Sequence, residues 1–140
     1  MFGPRKPKKK GVKVLVKRSS AGLGLYAGEP IKRGQFVIEY VGNIITNDEA
    51  DRKGGRYLFE IDDKKTIDGT PRWNTARYIN HRCTLANCEP IDDGGRIMIT
   101  AKRAIKPGEE LTYDYGKEYF NDIIKPEGCR CADCAPKLHE

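Results

Sequence analysis

The chain has 140 residues, of which 38% are hydrophobic, and this is enough for one buried core but not for two. Its 26 basic and 20 acidic residues give a formal net charge of +6. No apolar run approaches the roughly 20 residues of a membrane span, and the lysine-rich start lacks the apolar core of a secretory signal. These features predict one soluble domain that stays inside the cell, and they argue against a membrane protein.

The positive charge is concentrated at the N-terminus. Residues 1–18 contain eight basic residues and no acid, whereas the remaining residues contain 18 basic and 20 acidic ones. Such a segment is either a solvated, partly disordered leader, assigned to residues 1–12, or an arm that follows phosphate groups on a nucleic acid or nucleoprotein. No aromatic residue is interleaved among these lysines, so base stacking is not expected.

The rest of the chain shows mainly the pattern of short β-strands. VKVLVK alternates with period two, and QFVIEYVG, RYLFEID and RIMITAKR are rich in β-branched and aromatic residues. TNDEADRK predicts a short helix with Thr46 or Asn47 as its N-cap and Gly54 after its end, and WNTARYIN is consistent with one or two further helical turns. Glycine and proline mark turns between these elements. The predicted fold class is mainly β, that is, a β-rich α+β domain.

The segment SSAGLGLYAG contains Gly22 and Gly24. The next glycine, at position 28, does not fit the dinucleotide-binding spacing GxGxxG, and no helix pattern follows. The spacing therefore favours a tight turn, with a close approach of the backbone to another group as the alternative.

A polar pair ends an apolar segment in RYINHRC, residues 77–83. Asn80 and His81 follow Ile79, and polar side chains in such surroundings need hydrogen-bond partners. The pair is a structural hydrogen-bonding element, or His81 and Cys83 are metal ligands, because histidine and cysteine both bind zinc.

Three cysteines lie within six residues near the C-terminus, in CRCADC. An odd total of five cysteines fits a metal site in a reducing compartment better than a set of disulfides. Cys129, Cys131 and Cys134 offer three thiolates to a tetrahedral zinc ion, and the fourth would come from Cys83 or Cys88.

Together and in this order, these motifs resemble those of the SET-domain protein lysine methyltransferases with a cysteine-rich post-SET tail. The resemblance runs from about Val14 to Cys134 through GLGLYA, VIEYVG, YLFEID with TIDGT, NTARYINHRC and GEELTYDYG. It implies a SET-domain β-clip fold with short helices and a knot-like, threaded C-terminal segment that brings NH beside TYDYG. The SET domain would occupy residues 13–120, and the post-SET tail residues 121–140.

The resemblance also implies S-adenosylmethionine as methyl donor and a lysine side chain as acceptor. Carried over position by position, the donor-binding residues come from the glycine segment, the start of YLFEID, the motif around NTARYINH and the tail: Ala21, Leu23, Gly24, Tyr57, Arg77, Asn80, His81 and Arg130. The implied zinc ligands are Cys83, Cys129, Cys131 and Cys134, with Cys88 as the alternative to Cys83.

The same resemblance assigns the catalytic channel to three tyrosines. Tyr115 is directed at the reacting centre, while Tyr40 and Tyr113 line the channel for the alkyl-ammonium stem. The hydroxyl of Tyr113 leaves less room than a phenylalanine would, which favours monomethyl-lysine as the product. Without the surrounding motifs, these phenols would be assigned to interior packing.

The predicted function is a protein-lysine N-methyltransferase that acts on a basic protein, either histone-like or another nucleic-acid-binding protein. Acids that include Asp62 and Asp68 are expected to form an acidic groove for such a substrate. The alternative is a zinc-stabilised module with an inactive SET core that binds nucleic acid or peptide. The expected location is the cytoplasm of a prokaryote, or the nucleus or chromatin of a eukaryote. One departure from the family pattern is Trp73, which stands where a glycine is usual.

Overall fold

Three small β-sheets surround one hydrophobic core in the computed structural model, which describes residues 4–20 and 22–116. The strands are β1 (Pro4–Arg5), β2 (Val14–Ser19), β3 (Gly22–Ala27), β4 (Phe36–Tyr40), β5 (Gly42–Thr46), β6 (Leu58–Glu60), β7 (Lys65–Asp68), β8 (Asn80–His81), β9 (Cys88–Asp93), β10 (Arg96–Ala101) and β11 (Glu110–Tyr113). One α-helix, α1 (Asn47–Lys53), and one 3₁₀ turn (Thr75–Tyr78) complete the described elements. The β-rich fold class is thereby confirmed.

Each sheet contains strands that are distant from one another in the sequence. One sheet has the order β1-β5-β7-β6, the second β4-β10-β9, and the third β2-β3-β11-β8. Every pairing is antiparallel except that of β11 with β8, which is parallel. This parallel pair joins two segments that lie thirty residues apart, and the candidate active site is built on it.

Helix α1 begins and ends where its sequence predicts. The hydroxyl of Thr46 accepts a hydrogen bond from the amide of Glu49 at 3.1 Å, and acidic residues occupy the first turn, where the helix dipole favours them. Gly54 follows the last turn with φ of 62°, a backbone conformation that glycine adopts without strain. The bounds of this helix therefore follow from local signals.

Buried asparagines tie the strands of the site to the core. Asn87 is 1% exposed, and its amide donates to the carbonyl of Glu110 at 2.8 Å and accepts from the amide of Thr112 at 2.9 Å. The free edge of β11 is thus satisfied by a side chain where no strand pairs with it. Such contacts hold β11 in place beside β8.

Residues 4–12 lie against the rest of the domain. The charge pattern of this segment alone favours a partly disordered leader. Glu39 is 1% exposed, and its carboxylate accepts from the amide of Lys8 at 2.8 Å and from Arg96 at 2.9 Å. Nζ of Lys6 lies 4.5 Å from the centre of the Trp73 ring. Trp73, which stands where the family pattern has a glycine, thus contacts the N-terminal segment. A buried carboxylate that accepts a backbone N–H cannot be recognised from a count of charges.

No helix in the described part of the chain is long and apolar enough to cross a membrane.

Candidate active site

The parallel pairing of β8 with β11 places Asn80 opposite Thr112 and His81 opposite Tyr113. The structure therefore brings NH beside TYDYG, as the resemblance implies. Any threading that involves residues after 116 lies outside the described part of the chain.

His81 is held between the two strands. It is 7% exposed, and its Nδ1 accepts a hydrogen bond from the amide of Tyr115 at 3.0 Å. In the neutral ring the proton then lies on Nε2, which faces Sγ of Cys83 at 3.4 Å. The imidazole thus anchors the backbone of the tyrosine segment, so His81 acts on the site through Tyr115.

Tyr115 and Tyr113 form an aromatic pair at the end of β11. Their ring centres are 4.9 Å apart at 51°, and the ring of Tyr115 lies 5.3 Å from that of His81. The phenol of Tyr115 donates to the carbonyl of Ile79, so its own oxygen lone pairs point elsewhere and can accept. Tyr113 is 4% exposed. The two predicted catalytic tyrosines are therefore neighbours.

The side chain of Asn80 has one well-determined orientation. Its Nδ2 lies 2.9 Å from three acceptors, which are Oγ of Ser19, the carbonyl of Leu23 and Oε2 of Glu110. An amide nitrogen has only two protons and no acceptor capacity, so this pocket selects Nδ2 and turns Oδ1 the other way. Asn80 consequently presents an acceptor oxygen on its opposite side, suited to a donor such as an ammonium group.

The two glycines of the GLGLY segment have different roles. Gly22 has φ of 105°, as expected of a tight turn. Gly24 lies within β3, and a Cβ there would be 2.5 Å from Oε2 of Glu110 and 3.1 Å from Nδ2 of Asn80. The close-approach alternative is therefore correct for Gly24, and the tight turn for Gly22. Ala21 lies outside the described residues.

Tyr57 and Arg77 contact each other. The guanidinium of Arg77 lies 4.2 Å from the centre of the Tyr57 ring, and its Nη1 donates to the carbonyl of Thr70. Within the described part of the chain, Nε of Arg77 and Oγ1 of Thr112 are the two buried polar atoms without a hydrogen-bond partner. Arg77 belongs to the segment that the resemblance assigns to the donor site, whereas Thr112 belongs to the tyrosine segment. A buried polar atom without a partner, such as Nε of Arg77, is a position where a polar ligand can gain a hydrogen bond.

Tyr40 is enclosed by a loop that leaves no spare room. The ring is 4% exposed and lies 5.3 Å from that of Phe59. A Cβ on Gly69 would be 2.5 Å from the Tyr40 hydroxyl and 2.5 Å from Nδ2 of Asn74. Asn74 is fully buried, accepts from the amide of Val41 and donates to the carbonyl of Gly69, both at 3.1 Å. Asn74 and Gly69 therefore fix the position of Tyr40.

The two described cysteines differ in accessibility. Cys88 is 1% exposed within the core, and burial raises the pKa of its thiol to about 12. Cys83 is half-buried beside His81. No cluster of three or more metal-binding side chains occurs among residues 4–20 and 22–116, and the remaining predicted ligands Cys129, Cys131 and Cys134, like Arg130, lie outside them.

One acid of the expected acidic groove is not available to a substrate. Asp68 is 2% exposed; burial alone would raise the pKa of its carboxyl, but hydrogen bonds from Lys53 and Thr70 hold that pKa below its ordinary value. Asp62 remains exposed, yet it accepts from the amides of Lys64 and Lys65 at 2.8 Å and so closes a turn. Of these two acids, only Asp62 is therefore exposed to a substrate.

Sequence reasoning missed three residues that shape this site: Ser19, Asn74 and Glu110. Glu110 stands directly before LTYDY, and Asn74 opens NTARYINH, so both lie inside motifs that carry the resemblance. Their function depends on partners at least thirty residues away, at Asn80 and Val41. No local pattern shows such partners.

A family model described as SET domain matches residues 22–116, which is more than half of the chain. Histone-lysine N-methyltransferase 2D of Homo sapiens is 38% identical over 132 residues, covering 86% of this chain and 2% of that protein. Histone-lysine N-methyltransferase set1 of Dictyostelium discoideum is 39% identical over 128 residues, covering 83% and 8%. This chain therefore spans only a small fraction of these relatives.

Solved structures of similar fold agree with these matches. A crystal structure of an active polycomb repressive complex 2 in the stimulated state aligns with a TM-score of 0.72 and 34% identity, covering 84% of this chain and 17% of that one. An autoinhibited form of that complex from another structure, bound to S-adenosylmethionine, aligns with a TM-score of 0.65 and 34% identity, covering 76% and 15%.

Proposed function

Because this chain belongs to the SET-domain family, we propose that it transfers a methyl group from S-adenosylmethionine to the side-chain nitrogen of a lysine in a histone or histone-like protein. The observation that carries this proposal is the parallel pairing of β8 with β11, which places Asn80 and His81 beside Tyr113 and Tyr115. The family match covers all four residues. The histone-lysine methyltransferases among the relatives support the substrate class.

The acceptor must reach the methyl carbon as a neutral amine. A lysine with an ordinary pKa near 10.4 costs roughly 4 to 5 kcal/mol to deprotonate at pH 7. A tyrosine hydroxyl has an ordinary pKa near 10 and is a poor base at that pH. A narrow channel walled by buried rings instead disfavours the ammonium through desolvation, so that the proton leaves to water.

Tyr115 orients the amine in this proposal. Its hydroxyl donates to the carbonyl of Ile79, and a phenol oxygen that donates in this way is also able to accept an N–H from the incoming amine. The backbone of Tyr115 is fixed by His81. Alignment of this kind supplies a large part of catalysis, because reacting atoms held in line lose little further entropy.

The donor fits the residues assigned to it. S-adenosylmethionine, when bound, supplies a methyl carbon on a cationic sulfur atom. Asn80 offers Oδ1 on the side opposite its three acceptors, and Arg77 offers an unpartnered Nε. Gly24 has no side chain and so leaves room for the Asn80 amide and the Glu110 carboxylate that orients it. Ala21, Leu23, Tyr57 and Arg130 complete the proposed set, together with His81 as the anchor of the tyrosine segment.

Zinc and the tail remain part of the proposal. Cys83 is the better fourth ligand because it is half-buried, whereas the Cys88 thiol lies within the core. Cys129, Cys131 and Cys134 would supply the other three thiolates. Metal analysis of the purified protein should find about one zinc per chain, and a Cys131→Ser variant with full zinc content would contradict this assignment.

We further propose that the product is mainly monomethyl-lysine. Tyr113 is almost fully buried, with its ring 4.9 Å from that of Tyr115, so its hydroxyl takes space beside the reacting centre. Tyr113→Phe should shift the product toward di- and trimethyl-lysine, measured by mass spectrometry of a single-lysine peptide. An unchanged product distribution at equal turnover would contradict this role.

The experiment that tests the whole proposal uses labelled donor with a panel of histones and other basic proteins, followed by mass spectrometry of the modified residue. Transfer to lysine in at least one basic protein is expected. In the cell, the proposed place of this reaction is the interior, and chromatin if the host is eukaryotic. Donor binding with no transfer to any protein of the panel would favour the alternative of an inactive SET core.

A further inference from the structure

Two turns bring basic side chains together at one end of the molecule. The backbone N–H and carbonyl of Ile31 pair with those of Ile105 at 2.9 and 2.8 Å, and the amide of Gly34 donates to the carbonyl of Ala101 at 2.8 Å. Between these two contacts each turn carries two consecutive basic residues. They are Lys32 and Arg33 on one turn, and Lys102 and Arg103 on the other.

Two further lysines adjoin these turns. The carbonyl of Lys13 accepts from the amide of Gly28 at 2.8 Å, and Lys106 lies in the turn whose Gly108 amide donates to the carbonyl of Ala27 at 2.8 Å. We call this cluster the basic face; its exposed members are Lys13, Lys32, Arg33, Lys102, Arg103 and Lys106.

Most charges of the basic face have no acidic partner. Arg103 pairs with Glu109 at 3.0 Å, whereas within the described part of the chain the other five basic side chains have no carboxylate within salt-bridge distance. The nearby Glu29 and Glu109 also accept backbone amides, from Lys13 at 2.7 Å and Lys106 at 2.9 Å. The counted charge of the body, which is slightly negative, thus hides a local positive field.

The basic face lies at the opposite end of two strands from the candidate active site. Strands β3 and β11 are antiparallel, and the site uses the start of β3 and the end of β11. The basic face adjoins Ala27 and Glu109, at the other ends. Ala27 is four residue steps along β3 from Leu23, which is about 13 Å. The basic face is therefore separate from the residues that line the proposed lysine channel.

We propose that the basic face binds the phosphate backbone of duplex DNA. Its two turns carry no aromatic and no exposed large apolar side chain; the exposed large hydrophobic nearest in sequence to any member of the face is Leu15, two residues after Lys13. Base stacking of single strands requires aromatic rings, and protein interfaces have apolar or aromatic centres. Projecting, unpaired point charges suit a row of phosphates instead, where counterion release drives binding. This inference goes beyond methyl transfer and does not depend on it.

Fluorescence anisotropy with a labelled 20-base-pair duplex tests the proposal on the whole chain. If about five phosphates are neutralised, the logarithm of the binding constant should fall with that of salt concentration with a slope of about −4 to −5. A neutralised variant should lose affinity at least about tenfold at low salt and show a shallower slope. It carries Lys32→Gln, Arg33→Gln, Lys102→Gln and Lys106→Gln.

A second variant removes the same charge elsewhere, from exposed residues around α1, in the β6–β7 turn and in the loop after β7. It carries Arg52→Gln, Arg56→Gln, Lys64→Gln and Arg72→Gln, and both variants lower the formal net charge equally. The control should keep nearly full affinity, and both should show the circular dichroism of the parent protein. Equal losses in the two variants, tighter binding of a single strand than of the duplex, or equally good competition by polyglutamate would each overturn the proposal. A Tyr115→Phe variant should bind the duplex normally, which separates this inference from the proposed catalysis.

Discussion

Asn80→Asp keeps the shape of the side chain but replaces Nδ2, the donor, with an oxygen. The three groups around that atom lie at 2.9 Å, and two of them, the Leu23 carbonyl and the Glu110 carboxylate, can only accept. The variant loses the amide's two hydrogen bonds, one of them to a charged group, which contribute about 2 to 4 kcal/mol together. It also places two carboxylates in contact.

The repulsion has a natural upper limit. At an effective dielectric constant of about 20, two charges 2.9 Å apart repel by about 6 kcal/mol, and partial exposure of Asn80 and Glu110 reduces this. Protonating one carboxyl at pH 7 costs about 4 kcal/mol, so proton uptake caps the penalty. We expect a total loss of about 3 to 5 kcal/mol in the free energy of unfolding, or roughly 10 °C in melting temperature.

A second substitution tests whether the loss of stability comes from the contact of these two carboxylates or from a nonspecific disturbance of the fold. Adding Glu110→Gln to Asn80→Asp supplies an amide that donates to the new carboxylate, so the double variant should recover about half of the loss. The deficit of the single variant should also shrink as pH falls from 7 to 4, because the repelling pair raises the pKa of one carboxyl and the folded state then binds more protons than the unfolded state. Thermal and urea unfolding across pH measure both effects. A single variant as stable as the parent, or a double variant no better than the single one, would refute the orientation assigned to Asn80.

Two further substitutions test the surroundings of the site. Gly69→Ala places a methyl group 2.5 Å from the hydroxyl of Tyr40 and from Nδ2 of Asn74, so the free energy of unfolding, measured with urea, should fall by about 1 to 3 kcal/mol. The double variant with Tyr40→Phe should recover part of this loss. No change in stability for Gly69→Ala would contradict the enclosure of the Tyr40 ring. Cys88→Val removes a thiol whose pKa burial raises from 9.0 to about 12, so the parent should lose about 1.4 kcal/mol of stability for each pH unit above 9 that the variant does not lose. Parallel curves of unfolding free energy against pH for the two proteins would show that the thiol ionises equally in the folded and the unfolded state, which would contradict the raised pKa.

The parts of the fold that follow from local pattern could be predicted from the sequence. Helix α1 begins at the Thr46 cap and ends before Gly54, and both signals are adjacent to the residues they control. The parallel meeting of Asn80 with Thr112 is not a local signal, and it came from the resemblance of whole motifs. Composition and spacing alone gave only a β-rich domain.

The remaining features depend on contacts between distant residues. Glu39 looks like any strand acid, but its burial under Lys8 and Arg96 fixes the leader. Asp68 looks like part of an acidic surface, but Lys53 neutralises it inside the fold. Charge counts treat all such groups as solvated, although burial with a partner changes both their availability and their pKa.

The most direct test of the central claim compares Tyr115→Phe with Tyr26→Phe, since each phenol donates to a backbone carbonyl, of Ile79 and of Arg18 respectively. Single-turnover methyl transfer to a lysine peptide and donor affinity by calorimetry are measured for both variants. The account predicts that Tyr115→Phe lowers the transfer rate at least about a hundredfold with donor affinity within about threefold of the parent, while Tyr26→Phe changes neither. Transfer at the parental rate by a folded, donor-bound Tyr115→Phe protein would contradict it.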